Sequence, residues 1–240
     1  MKRHIPNFIT SLNLASGFVA IIFAANGNLL TASWFILAAI IFDFLDGFAA
    51  RLLKAYSEIG KELDSLADVV SFGVAPGFLI YQMLNDSLAI IAPGIVNSGS
   101  VIITLIQILP AIMPVCAAIR LAIFNLDSTQ TTSFKGLPTP ANALSVISVV
   151  IAGHYSQSEL FNSFLNSPFL LLIFTAILSL LMVSRIPLFS LKVSNLKLKG
   201  NEGRYILIGS VLAAFAVFGI LAAPLIIPLY IISSALSLLF

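Results

Sequence analysis

The chain is short of charge. Only 9% of its 240 residues are Asp, Glu, Lys or Arg, against 59% hydrophobic, whereas soluble domains carry about 25% charged residues. With a mean hydropathy of +1.07, this much apolar surface has no hiding place in water, so lipid is the solvent. The single cysteine, Cys116, excludes an internal disulfide, and within an apolar run it reads as a packing residue. Of the two histidines, His4 falls at the membrane surface and His154 on the outer side. Neither lies near the acidic cluster described below, so histidine base catalysis is rejected. Ser65 and Ser71 have no neighbouring histidine, which removes support for a serine hydrolase. A net charge of +2 is too small to suggest a nucleic-acid partner. Period-2 alternation is lacking, which excludes a membrane barrel, and there is no internal repeat or low-complexity segment.

Present instead are continuous apolar runs of the length that spans a bilayer. They predict an all-α, polytopic membrane bundle of about eight transmembrane helices, at 8–25, 30–53, 63–84, 101–124, 141–155, 168–186, 205–222 and 224–239. The fifth run is short and the last two are barely separated, so six or seven spans are the alternatives. Cytoplasmic flanks are enriched in Lys and Arg. With the N-terminus inside, all twelve basic residues fall on cytoplasmic segments, and the outer loops hold only Asp86 and Glu159. Both termini are then cytoplasmic. Lys2 and Arg3 precede the first run, but no convincing small-residue cleavage site comes before Asn26, so this run is read as a retained helix. The link 188–204, with Lys192, Lys197, Lys199 and Gly200, reads as an anchor at anionic headgroups. Pro110 and Pro114 are expected to kink the fourth span, and Gly73, Pro76 and Gly77 the third. The whole of 1–240 is taken as one domain.

Four of the ten acidic residues crowd two adjoining spans. Asp43 and Asp46 share one helix face, and Asp64 and Asp68, four apart, share another. The two helices are expected to be antiparallel neighbours, so the four carboxylates can converge. Asp43 lies roughly 12 Å along the helix from Arg51, near the membrane boundary but inside the bundle, where ionised groups are costly and usually functional. Four close carboxylates repel, so a proton or a cation must neutralise some of them. Oxygen-only ligands suit Mg²⁺ or Mn²⁺, with Ca²⁺ as an alternative, and not zinc. The bland alternative, surface carboxylates paired with Arg51 and Lys61, does not account for four at helical spacing. Gly47 and Ala50 suit either close helix packing or a flat wall beside a ligand.

Residues 43–68 fit D-x2-D-G-x2-A-R-x8-G-x3-D-x3-D without departure, and the chain thereby resembles the CDP-alcohol phosphotransferases. The resemblance implies metal binding by Asp43, Asp46 and Asp64, with Asp68 completing the cluster and acting as general base. Asp43, Gly47, Ala50 and Arg51 match nucleotide-contacting positions. It further implies transfer of a phosphoalcohol from a CDP-linked donor with release of CMP, six core helices and a homodimer. Pro6-Asn7 with Thr10, Asn13 and Gly17 resembles the N-terminal signature of bacterial and archaeal phosphatidylserine synthases. So do Glu62–Asp68 with Ser71-Phe72-Gly73, Arg120-Leu121-Ala122 with Phe124-Asn125, Gly136-Leu137-Pro138 with Pro140, and Ser184-Arg185-Ile186-Pro187. The resemblance covers 5–187 and leaves 204–240 as an additional C-terminal helix pair.

The expected reaction follows. CDP-diacylglycerol donates its phosphatidyl group to L-serine by direct attack of the hydroxyl, at a prokaryotic cell membrane with the site facing the cytoplasm. Arg120 and Arg185 are either snorkelling cations or ligands for a carboxylate or phosphate, for which guanidinium is the better fork. Asn125 either hydrogen-bonds the acceptor or ends its helix. Glycerol 3-phosphate, inositol and choline are the rival acceptors. A cation transporter is the rival class, but such a path would place polar groups at the midplane and the exit, and the charge here is cytoplasmic apart from Asp86 and Glu159.

Overall fold

The computed structural model describes residues 4–91, 94, 100–127, 133–155, 158–189 and 201–237. Lys2, Arg3, Lys192, Asn195, Lys197, Lys199 and Gly200 lie outside them. Helices account for nearly all of the described chain. In order they are α1 His4–Ala25, α2 Leu29–Leu52, α3 Glu58–Asp68, α4 Ala75–Ile91, α5 Val101–Ile108, α6 Ile112–Leu126, α7 Thr139–Tyr155, α8 Glu159–Leu165, α9 Pro168–Val183, α10 Glu202–Phe218 and α11 Ile226–Leu236. Asn28 caps α2 by accepting from the Thr31 N–H at 3.1 Å, and Ser57 caps α3 by accepting from the Gly60 N–H at 3.0 Å.

Among the described residues, five helical stretches are long and apolar enough to cross a membrane: His4–Ala25, Leu29–Leu52, Glu58–Ile91, Val101–Leu126 and Glu202–Leu236. Pro168–Val183, at 16 residues, is a shorter apolar helix. The outward faces carry exposed Phe8, Trp34, Phe44, Ile102 and Val217. Apolar side chains directed at the surroundings are what a lipid solvent permits, and the chain is an integral membrane protein of the all-α class. The 35-residue stretch Glu202–Leu236 is not one straight rod. Gly219 has φ 56°, beyond the end of α10, and a 3₁₀ segment, Gly219–Leu225, leads into α11. A Cβ on Gly203 would lie 2.7 Å from Ser237 Cβ, so the far ends of α10 and α11 touch and the pair folds back on itself.

Fully buried alanines line the seam between α1 and α2, with Ala20, Ala24, Ala32 and Ala39 all at 0% exposure. Small residues let helix backbones close up where the hydrophobic effect between helices is weak. The same device recurs at Gly17, where a Cβ would stand 2.7 Å from Ser71 Cα.

Three features refine the expectations, and the second bears out the expected breaks in the third and fourth spans. First, α2 and α3 are not simple packed neighbours. Helix α1 packs against both, and the space between the aspartate helices is left for cavities. Second, the third span departs from α geometry as a π segment, Val69–Val74, ahead of Pro76 and Gly77. Gly73 and Gly77 are also contact points for the fourth span: a Cβ on Gly73 would lie 3.1 Å from Pro114 Cα, and one on Gly77 would lie 3.3 Å from Pro114 Cδ. The fourth span breaks into 3₁₀ geometry at Leu109–Ala111, around Pro110. Third, the bundle includes a small antiparallel sheet that apolar periodicity did not signal. Strand β1, Ser133–Lys135, pairs with β2, Pro187–Phe189, in the register Lys135↔Pro187. Cys116 is buried in the core, as expected of a packing residue.

Candidate active site

The four aspartates do come together, though not as an equal quartet. One oxygen from each of Asp43, Asp64 and Asp68 lies within 4.8 Å of the others. Asp46, 5% exposed, is outside that trio and is turned towards α1, where the Thr10 hydroxyl donates to its Oδ2 at 2.6 Å. Asp68, 7% exposed, is held on two sides by longer contacts. Asn13 Nδ2 donates to one oxygen at 3.4 Å, and the Thr139 hydroxyl lies 3.5 Å from the other. The same hydroxyl accepts from Arg120 Nη1 at 3.4 Å. Thr139 therefore stands between the acidic trio and a guanidinium that is itself only 8% exposed.

Secondary structure explains part of this arrangement. Four-residue spacing stacks Asp64 over Asp68 on α3. The Phe72 carbonyl, whose i+4 residue Pro76 has no N–H to offer, accepts from Asn142 Nδ2 on α7 at 3.0 Å, while Ser71 donates to the Asn13 carbonyl of α1 at 3.0 Å. Single π turns are frequent at functional sites; here the π segment carries the contacts to both neighbours that flank Asp68.

Among the described residues, Asp64 Oδ1 is buried and has no hydrogen-bond partner. A buried carboxylate oxygen left unpaired is costly. Three converging carboxylates with one such oxygen fit a hard divalent cation, for which oxygen ligands are preferred.

Two cavities adjoin the cluster, and a third is lined by Arg120, the partner of Thr139. The first, about 530 Å³, has Asp43, Asp46 and Asp64 at one end and Leu144, Leu207 and Ile227 among its apolar walls. The second, about 230 Å³, lies between α1, α2 and α3 and is lined by Asn7, Thr10, Asp46, Ala50, Arg51 and Lys61 among others. Gly47 borders both. A Cβ on Gly47 would meet only Arg51 Nη1, at 3.6 Å, so this glycine faces a cavity and is not wedged between helices. The third, about 470 Å³, contains Arg120, Arg185 and Lys135, with Lys135 paired to Asp127 at 3.0 Å.

The expected residues thus separate by location. Gly47 and Arg51 line the first cavity with Asp43 and the second with Ala50. Arg120 and Arg185 meet in the third, as required if they act on one ligand. Asn125 is placed differently. Its Nδ2 donates to Ser65 Oγ at 2.8 Å, and its carbonyl accepts from Lys61 Nζ at 3.2 Å. It clips α6 to α3 instead of lining the third cavity. His154 lines a separate cavity with Asn28 and Asp86. Thr10 and Asn13 were visible in the sequence only as letters of a signature, and Thr139 only as the position between Pro138 and Pro140. Tyr230, which also lines the first cavity, carried no signal at all.

An integral membrane protein with a carboxylate trio suited to a divalent cation, set beside a partly apolar cavity and a cationic one, is the class defined by fold and site. The chain belongs to the CDP-alcohol phosphatidyltransferase family, whose sequence profile matches residues 3–184. It is 35% identical over 201 residues to a CDP-diacylglycerol–serine O-phosphatidyltransferase of Helicobacter pylori, covering 80% of this chain and 76% of that one. It is 35% identical over 185 residues to the Bacillus subtilis protein of the same name, covering 77% and 89%. An archaetidylserine synthase of Methanothermobacter thermautotrophicus is 35% identical over 156 residues, covering 64% and 60%.

Proposed function

We propose that the chain transfers the phosphatidyl group of CDP-diacylglycerol to L-serine, giving phosphatidylserine and CMP. The observation that carries this reading is that the acidic cluster lines a cavity with apolar walls and is joined through Thr139 to Arg120, which shares a second cavity with Arg185. The first suits a donor whose acyl chains stay in the bilayer, and the second suits an acceptor bearing a carboxylate. The names of the relatives from Helicobacter pylori and Bacillus subtilis support serine as the acceptor.

Asp43, Asp64 and Asp68, with Asp46 alongside, would hold Mg²⁺ or Mn²⁺. Such an ion supplies positive charge against the donor's pyrophosphate and the leaving CMP. Gly47, Ala50 and Arg51 would seat the cytidine nucleotide in the small second cavity, Gly47 by letting it approach the backbone. Arg120 and Arg185 would hold the serine carboxylate by charge-assisted hydrogen bonds. Asp68 is linked through Thr139 to Arg120, and would take the proton of the serine hydroxyl. The serine oxygen then bonds to the lipid-side phosphorus, and the phosphorus–oxygen bond to CMP breaks with its electron pair leaving on CMP. No covalent enzyme intermediate is required. Asn13 and Thr139 would fix the Asp68 carboxylate during that exchange.

Eight spans with both termini and the site on the cytoplasmic side of a prokaryotic cell membrane complete the proposal. A homodimer is proposed with them, in which 5–187 forms the catalytic core and 204–240 is an added helix pair. The test is to incubate the purified protein with CDP-diacylglycerol and serine, glycerol 3-phosphate, inositol or choline, and to identify the lipid product. Serine should enter lipid only when the donor is present, with one CMP released per phosphatidylserine. Faster consumption of another alcohol under matched conditions would remove serine and leave the transferase.

A further inference from the structure

The region beyond residue 184 lies outside the family match, yet it reaches the apolar-walled and the cationic cavities. Leu207 of α10 and Ile226, Ile227 and Tyr230 of α11 line the cavity that holds Asp43, Asp46 and Asp64 at its polar end. Tyr230, 4% exposed, also faces strand β2. Its hydroxyl donates to the Phe189 carbonyl at 2.8 Å, and its ring stands edge-on to the Phe189 ring with centroids 5.3 Å apart. One helical turn on, Ser234 Oγ accepts from the Phe189 N–H at 3.4 Å. A buried tyrosine generally finds a partner for its hydroxyl; here that partner is the strand that follows Arg185 of the other cavity.

Strand β2 begins two residues after Arg185 and pairs with β1, which ends at Lys135; both residues line the cationic cavity. On the β1 side the segment is closely fitted. The Gly136 N–H donates to the Ile186 carbonyl at 2.9 Å. Gly136 has φ 79°, and a Cβ there would stand 2.6 Å from the carbonyl oxygens of both Met182 and Ser184, so glycine is required. From the opposite side, α11 holds the same segment through Tyr230 and Ser234.

We propose that Tyr230 is a positioning residue for both substrates. Its ring is a wall of the donor cavity, and its hydroxyl fixes β2 so that Arg185 stays in the acceptor cavity. The C-terminal helix pair is then part of the substrate site and not merely a membrane anchor. This inference rests on the phosphatidyl-transfer reading above.

The experiment is steady-state kinetics of the full-length protein in mixed micelles, varying CDP-diacylglycerol and serine separately, for wild type, Tyr230→Phe, Ser234→Ala and Tyr230→Ala. Tyr230→Phe keeps the ring and loses the hydroxyl. Its KM for serine should rise about two- to tenfold, the range expected for one hydrogen bond, with the KM for the donor within about twofold of wild type. Ser234→Ala should shift in the same direction, and Tyr230→Ala should raise both KM values. Tyr230→Phe and Ser234→Ala decide the matter even if Tyr230→Ala does not fold. Unchanged serine KM in both, or an equal rise for both substrates in Tyr230→Phe, overturns the inference. Failure of the wild type to form a phosphatidyl product would instead overturn the reading on which it rests.

Discussion

The hydroxyl of Thr10 lies 2.6 Å from a carboxylate oxygen of Asp46, joining the first helix to the second across 36 residues of sequence. That bond holds Asp46 beside the trio formed by Asp43, Asp64 and Asp68, on the wall shared by the first two cavities. Thr10→Val should release Asp46. CMP formation should fall about tenfold or more, the scale of a hydrogen bond to a charged group, while Thr10→Ser should retain most activity. Initial rates of CMP release at several donor concentrations check this. Wild-type kinetics in Thr10→Val would show that the bond does not matter to turnover.

Chelation should abolish CMP release, and added Mg²⁺ or Mn²⁺ should restore it. Asp43→Asn, Asp46→Asn, Asp64→Asn and Asp68→Asn should each lose about a hundredfold or more of activity, in the range typical for removing one preorganised electrostatic or acid–base group, and still elute as folded protein on gel filtration. Mn²⁺ binding followed by electron paramagnetic resonance should weaken in Asp43→Asn and Asp64→Asn. Asp68→Asn should spare CMP binding more than turnover. Full activity in the presence of chelator would defeat the proposed metal site.

Arg120 and Arg185 share a cavity, and a lysine cannot reproduce a guanidinium fork. Arg120→Lys and Arg185→Lys should each raise the KM for serine by about tenfold, as expected for loss of a charge-assisted bond, with a smaller effect on the donor. Parallel titrations of the two substrates test this. A change confined to the donor KM in both variants would take the arginines out of acceptor binding.

The proposed orientation makes its own claim. In a Cys116→Ser background, single cysteines placed near Asn26, Asp86 and Glu159 should react with an impermeant thiol reagent applied outside intact cells, and one at Asn195 only after permeabilisation. External labelling at position 195 would overturn the assigned orientation or the span count.

Much of this protein was decided by local sequence. Continuous apolar runs require helices because no other segment can satisfy its backbone in lipid without closing a barrel, and the first two helices begin and end within a few residues of where hydropathy placed them. The spacing of Asp64 and Asp68 stacks them on one face, since a helix repeats every 3.6 residues. Packing decided the rest. Three of the four carboxylates converge, while Asp46 is bonded to Thr10 of another helix. The surroundings of Asp68 come from Asn13 and Thr139, 55 and 71 residues away in the chain. Asn125 became a clip between helices because Ser65 happens to face it, and Tyr230 reached the site only because α11 folds back beside β2. Helical periodicity constrains neighbours within a turn or two. Contacts across tens of residues are set by how whole helices choose among apolar faces that look alike in sequence, and small residues such as Gly17, Gly73 and Gly77 make that choice through backbone approach, not through any chemistry of their own.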